Sequence, residues 1–595
     1  MTRRTVGFAL ITLLMFSSVL AIADDSKLSP DLQNYAATQQ SVRVIIQYAK
    51  APEQNTGLLG SLLSVVGNLT SSLPLINSVV AVVDCNSLVG LSNDPNVVYI
   101  SPDRQLYNFA SPSDQVTAIN APAAWKSSYT GNGISVAVVD SGITASPDLN
   151  TGILPLNRIV YSQDFVDGKY PANDSYGHGT HVAGLIAGDG LQSTGPAFSR
   201  SFQGIAPSAK LVNLRVLDSD GAGTDSQVIA AISKAIALKS TYNIRVINLS
   251  LGRPVVESYK LDPLCQAVER AWRAGIVVVV AAGNYGRVDV LGNDGYGTIT
   301  APGNDPYVIT VGAMKPMDTP DRSDDLIASY SSKGPTAIDH IVKPDIVAPG
   351  NMLVSLGTNG TLASEYPGNK VPYSYYVRGG SSATGPYFTL NGTSMAAAVV
   401  SGAVADMLDA RPGLTPDQVK ARLMKTAYKT FPRTSSVSDP DTGITYTSQY
   451  DIFTVGAGYL DLAAALASND YPTGSAKSPT AAFDARTGNV YLVNDNSDLW
   501  GSSSCWIPAN VWGPAVFVGA NSAMWGSSAM WGSSAMWGSS ALWGSSAMWG
   551  SSSNSASSAL WGSSGLWGSS AMWGSSAMWG AGSDAAESIF VNGEK

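Results

Sequence analysis

Cysteine, histidine and charged residues are all scarce in this chain of 595 residues. The three cysteines lie far apart and have no metal-ligand spacing, so they predict neither a zinc cluster nor a disulfide framework. Only 13% of the residues are charged and the net charge is −9, which argues against a nucleic-acid partner. Any imidazole base must be one of three histidines: His178, His181 and His340.

The first 23 residues have the pattern of a secretory signal peptide. Arg3 and Arg4 give a positive start, residues 6–20 are an apolar run, and Ala21-Ile22-Ala23 is a small-x-small cleavage signal. The run is short for a transmembrane anchor, and no stop-transfer charges follow it. We therefore expect a secreted, extracellular protein, and attachment to the cell surface is left open.

Residues 24–112 are predicted to form a small separate α+β unit. Strand patterns cover 42–48, 76–83 and 97–100, and helix patterns cover 58–73 and 85–91. The position of this unit, between a signal peptide and a larger α/β unit, is typical of a propeptide.

Residues 113–468 alternate between apolar strand patterns and amphipathic helix patterns. This alternation predicts a doubly wound, mainly parallel α/β sheet with helices on both faces. A loop over 352–389 is long enough to be functional or mobile. The predicted strands cover 134–140, 210–218, 245–252, 276–282 and 307–313, and the predicted helices cover 225–240, 263–275, 394–411 and 415–426.

Three side chains suited to acyl transfer stand at predicted strand or loop ends. Asp140 ends a buried strand, His178 lies between two glycines at the start of a helix, and Ser394 follows Gly392-Thr393 at the start of another. Each taken alone is open to a simpler reading: Asp140 and Ser394 as helix caps, and His178 with His181 as a metal pair. Because no carboxylate or cysteine completes a ligand set nearby, we expect His181 to be a packed structural histidine.

Together these groups fit a nucleophile with a base and an orienting carboxylate. His178 would take the proton from Ser394, and Asp140 would fix the tautomer of His178. Asn284 follows a buried strand, and its side-chain amide together with the N–H of Ser394 would bind the oxyanion.

The segments that carry these residues resemble the three signatures of subtilisin-like serine peptidases. They are Asp140-Ser141-Gly142, His178-Gly179-Thr180-His181 and Gly392-Thr393-Ser394-Met395-Ala396. The resemblance covers about 113–468 and implies a subtilisin-like fold with Asp140, His178 and Ser394 as the catalytic triad. It also implies that residues 36–108 act as an inhibitory propeptide, with autoprocessing near 105–116.

The same resemblance implies the substrate-binding residues. Two edges would flank an extended protein or peptide substrate: Gly221-Ala222-Gly223 and Ser250-Leu251-Gly252. Ala281-Ala282-Gly283-Asn284 resembles the oxyanion segment, and Thr300 would lie at the floor of the S1 pocket, where it favours P1 residues that are apolar and of medium size. The chemistry requires no cofactor. Asp148 matches one calcium-ligand position, but no ligand loop is recognisable near 191–204, so the metal ligands are unknown and structural calcium is left open.

The C-terminal part consists of a predicted linker over 469–520, a Trp-Gly-Ser-Ser hexapeptide repeat over 521–580 and a tail over 581–595. Because six is even, an extended strand would put every Trp of the repeat on one face. This favours a β-solenoid or stacked hairpins, and the alternative is a low-complexity tail without a fixed fold. We expect the repeat to bind a surface, a polysaccharide or itself.

The sequence therefore predicts a secreted serine endopeptidase made as an autoprocessed zymogen. One alternative is a surface or adhesion protein that acts through the Trp repeat and uses its peptidase core mainly for self-maturation. A catalytically dead scaffold is disfavoured, because every expected catalytic group is present.

Overall fold

A computed structural model describes most of the chain up to residue 493. The described residues are 25–32, 41–50, 68–108, 118–151, 156–168, 172–288, 294–317, 319, 321–439, 443–484, 489–493 and 594. The predicted signal peptide and the Trp repeat lie outside them. Within the described residues, no helix is both long and apolar enough to cross a bilayer.

The N-terminal unit is a four-stranded antiparallel sheet in the order β2-β3-β1-β4. Both of its faces are covered, because the consecutive residues Val44, Ile45 and Ile46 point alternately to the two faces and all three are fully buried. The elements are β1 (Ser41–Tyr48), β2 (Asn68–Leu73), β3 (Ser78–Asp84), α1 (Leu88–Ser92) and β4 (Val97–Pro102).

The helix predicted over 58–73 is wrong over its last six residues. These residues form β2, in which Asn68 pairs with Val82 and Leu73 pairs with Ser78. The apolar spacing of the segment fits a helix, but Thr70, Ser71 and Ser72 are weak helix formers, and the free edge of β3 provides pairing partners. Residues 51–67 lie outside the described part.

The peptidase-like unit is built on an eight-stranded sheet, as the alternating pattern predicts. Seven strands follow the order β16-β15-β14-β12-β6-β10-β9, and β17 pairs with β15. Every pair is parallel except β15 with β16. The strands are β6 (Ser135–Asp140), β9 (Ile159–Asp164), β10 (Lys210–Arg215), β12 (Ile244–Leu249), β14 (Val277–Ala281), β15 (Ile309–Lys315), β16 (Leu326–Ile327) and β17 (Ile346–Pro349).

Two pairs of helices pack against this sheet and explain its continuous apolar strands. α3 packs against α8, and α4 packs against α5. In β6, Val136, Ala137, Val138 and Val139 are at most 1% exposed, as expected for a strand with both faces covered. The helices are α2 (Ala121–Lys126), α3 (His178–Ala187), α4 (Asp225–Tyr242), α5 (Pro263–Arg273), α8 (Thr393–Ala410), α9 (Pro416–Thr426) and α10 (Leu462–Ala467).

The predicted long loop over 352–389 is wrong in part, because it contains regular structure. It holds a three-stranded antiparallel sheet in the order β18-β20-β19. The strands are short and their partners are distant in the chain, so no local pattern announces them. The elements are β18 (Leu353–Leu356), α6 (Thr361–Glu365), β19 (Lys370–Pro372), α7 (Tyr373–Tyr376) and β20 (Thr384–Leu390).

The first part of the predicted linker over 469–520 folds as a hairpin against the larger unit. The first strand of the hairpin contacts the peptidase-like unit where Thr480 pairs with Ile341, and Ala481 in this strand is 1% exposed. The remaining short strands are β7 (Asn150–Thr151), β8 (Leu156–Asn157), β21 (Thr434–Ser438), β22 (Thr445–Gln449), β23 (Thr480–Asp484) and β24 (Asn489–Val493).

Candidate active site

Asp140 and His178 form a buried hydrogen-bonded pair at the C-terminal edge of the sheet. Asp140 is the last residue of β6 and His178 the first of α3, and His178 Nδ1 lies 2.7 Å from Asp140 Oδ1. Both side chains are fully covered. The close approach of the start of α3 to the turn after Asp140 depends on Gly179, because a Cβ at this position would collide with the carbonyl oxygen of Gly142. The pair holds the ring so that Nε2, which has no partner among the described residues, is the atom left for proton transfer.

Ser394 lies at the same edge, beside the end of the neighbouring strand. Its Oγ donates to the carbonyl oxygen of Ser250 at 3.1 Å, and Ser250 Oγ donates to the Ser394 carbonyl at 2.8 Å. Ser250 directly follows β12, which pairs in parallel with β6. Adjacent strands are about 4.8 Å apart, so the ends of β12 and β6 bring the serine and the Asp140–His178 pair to neighbouring positions.

The backbone at the start of α8 is arranged for anion binding. Gly392 caps the helix with φ 134°, a conformation that favours glycine. Because α8 begins at Thr393, the N–H of Ser394 belongs to the first turn, where N–H groups have no partner within the helix. This N–H and the positive end of the helix dipole are suited to holding an oxyanion.

Asn284 is clamped against the same helix start through Thr393. Its Oδ1 accepts hydrogen bonds from the N–H and the hydroxyl of Thr393, both at 3.0 Å. The Thr393 hydroxyl oxygen in turn accepts the N–H of Gly283 at 3.1 Å. Because the amide oxygen is held by these donors, the NH₂ group of Asn284 is the part left to donate to a ligand. The sequence motif did not identify Thr393 as a positioning residue.

A buried carboxylate that the sequence reasoning missed braces the two loops of the pair. Asp174 is 4% exposed and accepts the hydroxyl of Ser141 at 2.8 Å and the N–H groups of Gly177 and Thr180 at 2.7 and 2.8 Å. Burial raises the pKa of Asp174, and these hydrogen bonds oppose that rise. Asp174 therefore ties the turn after Asp140 to the turn that carries His178. Its only sequence signal is an Asp three residues before a Gly.

His181 packs inside the unit, as the sequence predicts. The ring is fully buried, and Nε2 lies 3.1 Å from the carbonyl oxygen of Leu353. Burial, with a smaller effect from His178, lowers its pKa to about 3. His181 is therefore neutral near pH 7 and serves packing.

A strand from the N-terminal unit occupies the cleft between the two predicted substrate edges. β5 (Gln105–Asn108) is the central strand of a three-stranded antiparallel sheet, between β11 (Ala222–Thr224) and β13 (Leu251–Gly252). Tyr107 pairs with Ala222 and Gly252, and Asn108 pairs with Leu251. The edges expected at Gly221-Ala222-Gly223 and Ser250-Leu251-Gly252 therefore lie on either side of an extended segment of the chain itself.

Comparison with known proteins agrees with this arrangement. The family model described as "Subtilase family" matches residues 131–458. Serine protease AprX of Bacillus subtilis (strain 168) is 39% identical over 301 residues, which are 49% of this chain and 61% of AprX. Subtilisin E of the same strain is 34% identical over 366 residues, 61% of this chain and 78% of subtilisin E. The alkaline protease of Shouchella clausii is 32% identical over 340 residues, 57% of this chain and 70% of that protease.

The chain belongs to the subtilase family of serine peptidases. It spans about three fifths of the length of AprX and more than three quarters of subtilisin E.

The predicted S1 residue of this subtilase lies between the substrate edge and the oxyanion segment. Thr300 is 2% exposed, and its Oγ1 donates to the carbonyl oxygen of Ala282 at 3.2 Å. Its methyl group would lie 2.7 Å from a Cβ at Gly283, and its hydroxyl 2.6 Å from one at Gly252. The Thr300 side chain thus fills the space that is left by the missing side chains of Gly252 and Gly283. Gly283 is two residues beyond Ala281, the last residue of β14.

The residues around Asp148 do not fit a calcium ion in this subtilase. Asp148 Oδ2 accepts the hydroxyl of Tyr387 at 2.6 Å, and Oδ1 accepts the N–H of Gln192 at 2.8 Å. Calcium takes six to eight oxygen ligands, whereas here two proton donors are directed at the carboxylate. Burial raises the pKa of Asp148, and the hydrogen bonds from Tyr387 and Gln192 oppose that rise.

Proposed function

We propose that this subtilase is a secreted endopeptidase that uses Asp140, His178 and Ser394 as a catalytic triad. The observation that carries the proposal is the buried His178–Asp140 hydrogen bond of 2.7 Å, with Nε2 left without a partner among the described residues. Secretion rests on the signal-peptide pattern of residues 1–23.

In the proposed reaction, the Ser394 hydroxyl leaves its hydrogen bond with Ser250 and turns to His178 Nε2. Ser394 Oγ attacks the carbonyl carbon of the scissile bond while Nε2 takes the hydroxyl proton. Asp140 keeps the proton on Nδ1 and stabilises the imidazolium. The NH₂ group of Asn284 and the N–H of Ser394 hold the oxyanion, and each such donor contributes about 3 kcal/mol to lowering the barrier.

The acyl-enzyme forms when the tetrahedral intermediate breaks the C–N bond and His178 returns its proton to the leaving amine. Water then attacks the ester with His178 again as the base, which releases the acid and restores Ser394. Apart from the attacking water, every group that acts in these reaction steps is a side chain or an N–H of the chain itself. The proposed reaction therefore requires no cofactor.

We further propose that residues 24–112 are an inhibitory propeptide. Side-chain hydrogen bonds fasten this unit to the peptidase unit in addition to the pairing of β5. Gln47 Nε2 donates to the Leu261 carbonyl at 2.9 Å, and Arg104 Nη1 donates to Glu257 at 2.6 Å. Asp103 accepts the N–H of Ser226 at 2.7 Å, so a propeptide carboxylate caps the N-terminus of α4. A substrate would have to displace this strand to reach Ser394.

The register of β5 suggests which bond is processed. Leu251 faces Asn108, and Ser250, whose carbonyl accepts the Ser394 hydroxyl, is the next residue toward the nucleophile. The residue that follows Asn108 would therefore supply the acyl group. We propose cleavage of the Phe109–Ala110 bond, within the predicted window of 105–116, which moves the end of the propeptide from residue 112 to residue 109.

The proposed function is tested by expressing the full-length chain and its Ser394→Ala variant and analysing the purified products by mass spectrometry. The proposal predicts a mature N-terminus at Ala110 in the unaltered protein and an unprocessed chain in the variant. A Thr389→Ala variant serves as control, since that hydroxyl donates to the Asn369 carbonyl and takes no part in the proposed chemistry. Processing that persists in Ser394→Ala would contradict the proposal, and a mature N-terminus far from 110 would contradict the assigned bond.

A further inference from the structure

Glu594, next to the last residue of the chain, is buried in the peptidase unit. It is 2% exposed, although charged residues of terminal segments are ordinarily solvated. Its Oε1 accepts the N–H of Ser329 at 2.6 Å and also the Ser329 hydroxyl. Arg287 Nη2 donates to the same oxygen at 3.0 Å.

The backbone of Glu594 is held as well as its side chain. Asn351 Nδ2 donates to the Glu594 carbonyl at 3.2 Å, and Asn351 Oδ1 accepts the Glu594 N–H at 3.2 Å. This reciprocal pair uses both polar groups of one amide side chain, and Asn351 itself is fully buried. The site binds both the main chain and the side-chain carboxylate of Glu594, so it favours a peptide segment over a free anion.

The groups that receive Glu594 are fixed in place by the peptidase unit. Arg287 donates through Nη1 to Asp439 at 2.7 Å and through Nε to Ser329 Oγ at 2.6 Å. The side chain of Arg287 is 8% exposed and that of Ser329 is nearly covered. An arginine held from two sides loses little freedom when it binds a carboxylate.

This receiving site is continuous with the proposed oxyanion segment. Arg287 is three residues beyond Asn284, and the intervening backbone is tied to the segment that contains Ser329. Gly286 donates its N–H to the Tyr330 carbonyl at 2.8 Å, and Ser332 donates its N–H to the Gly283 carbonyl at 2.9 Å. Glu594 therefore binds two segments that are hydrogen-bonded to each other, 283–287 and 329–332, and the first of them carries Asn284.

We propose that Arg287, Ser329 and Asn351 form a docking site for a segment of the same chain, with Glu594 as the residue recognised. The hairpin that ends at Val493 is fastened to the same unit by Thr480 and Ala481. Residues 480–493 and Glu594 are therefore both held by the peptidase unit.

Hydrogen exchange of the full-length protein tests the docking site. The Ser394→Ala background prevents self-cleavage, and the readout is the exchange rate of the Ser329 amide, whose N–H donates to Glu594. Glu594→Ala and Glu594→Gln are compared with Glu587→Ala, which removes another acid of the same tail. The amides of β6 report whether each variant stays folded.

We expect Glu594→Ala to speed exchange at Ser329 by about tenfold or more, because it removes charge-assisted acceptance at a buried amide. Glu594→Gln should have an intermediate effect, and Glu587→Ala and the β6 amides should not change. Asn351→Ala should speed the same exchange, and in combination with Glu594→Ala it should add less than the sum of the two changes. The proposal is overturned if exchange at Ser329 stays within twofold in Glu594→Ala, or if Glu587→Ala has the same effect.

Discussion

Arg104 and Glu257 form an ion pair across the boundary between the N-terminal unit and the peptidase unit. Arg104 Nη1 lies 2.6 Å from Glu257 Oε1, and the two side chains are 7% and 1% exposed. The pair belongs to a larger network, since Arg104 also binds Asp31 and the Tyr99 hydroxyl donates to Glu257 at 2.5 Å. Two partners from the N-terminal unit thus converge on one carboxylate of the peptidase unit.

Glu257→Gln should weaken the hold of the cleaved N-terminal unit on the peptidase unit. The amide keeps the shape of the side chain but leaves Arg104 without an anionic partner across the interface. Losing one side of a buried ion pair costs about 3–5 kcal/mol, so the dissociation constant should rise on the order of 100-fold or more. Native mass spectrometry and the appearance of activity on dilution measure this change.

Glu365→Gln is the matched control for this substitution, because Glu365 is an exposed residue of α6. It should leave the dissociation constant unchanged. If the Glu257→Gln complex dissociates like the unaltered one, the ion pair does not contribute to inhibition.

Asp174→Asn should lower turnover although Asp174 does not belong to the proposed triad. The variant keeps one acceptor oxygen, so at least one of the N–H groups of Gly177 and Thr180 loses its partner, at a cost of about 1–3 kcal/mol. Because this turn carries His178, we expect kcat to fall by about tenfold with a smaller effect on KM.

Steady-state kinetics on a peptide substrate measure the effect of Asp174→Asn. Asp321→Asn, a change at an exposed carboxylate, serves for comparison and should leave kcat unaltered. An unaltered kcat in Asp174→Asn would show that the brace does not position His178.

His181 should make the peptidase unit sensitive to acid. Its pKa is lowered from 6.5 to about 3, so between these values the unfolded chain binds a proton that the folded chain does not. Stability therefore falls as the pH falls from about 6.5 toward 3, by up to about 1.4 kcal/mol per pH unit for this group.

His181→Gln removes this proton uptake and still offers a donor to the Leu353 carbonyl. Urea unfolding in the Ser394→Ala background at pH 7, 5.5 and 4.5 should give a smaller loss of stability in the Gln variant. Equal losses in both proteins would mean that His181 is not the group responsible.

The elements that carry the proposed catalytic residues could be predicted because their signals are local. The apolar run that ends at Asp140 and the Gly-Thr-Ser start of α8 specify a buried strand and a helix N-terminus without reference to the rest of the chain. Once the strands are parallel, their carboxyl ends share one edge, and this explains why Asp140 and Ser250 are neighbours. The helix predicted over 415–426 likewise begins at a local cap, because Thr415 Oγ1 accepts the N–H of Gln418.

The remainder depended on contacts between residues that are distant in the chain. The spacing of apolar residues in β2 is weakly helical, and this led to the prediction of a helix. The segment forms a strand because its pairing with β3 outweighs that weak periodicity. Asp174 and Thr393 act through hydrogen bonds that a single polar residue in a loop does not announce. Glu594 is the extreme case, because its partners at 287, 329 and 351 come from three separate segments.

Covalent labelling of Ser394 tests the central claim most directly. A peptidyl organophosphonate reacts with a serine that a histidine activates, and peptide mapping identifies the residue labelled. The account predicts a single label on Ser394 in the processed protein, none in Ser394→Ala, and labelling slowed by at least about a hundredfold in His178→Ala. A processed protein that has been separated from its N-terminal unit and takes no label at Ser394, or a His178→Ala variant that is labelled at the unaltered rate, would contradict it.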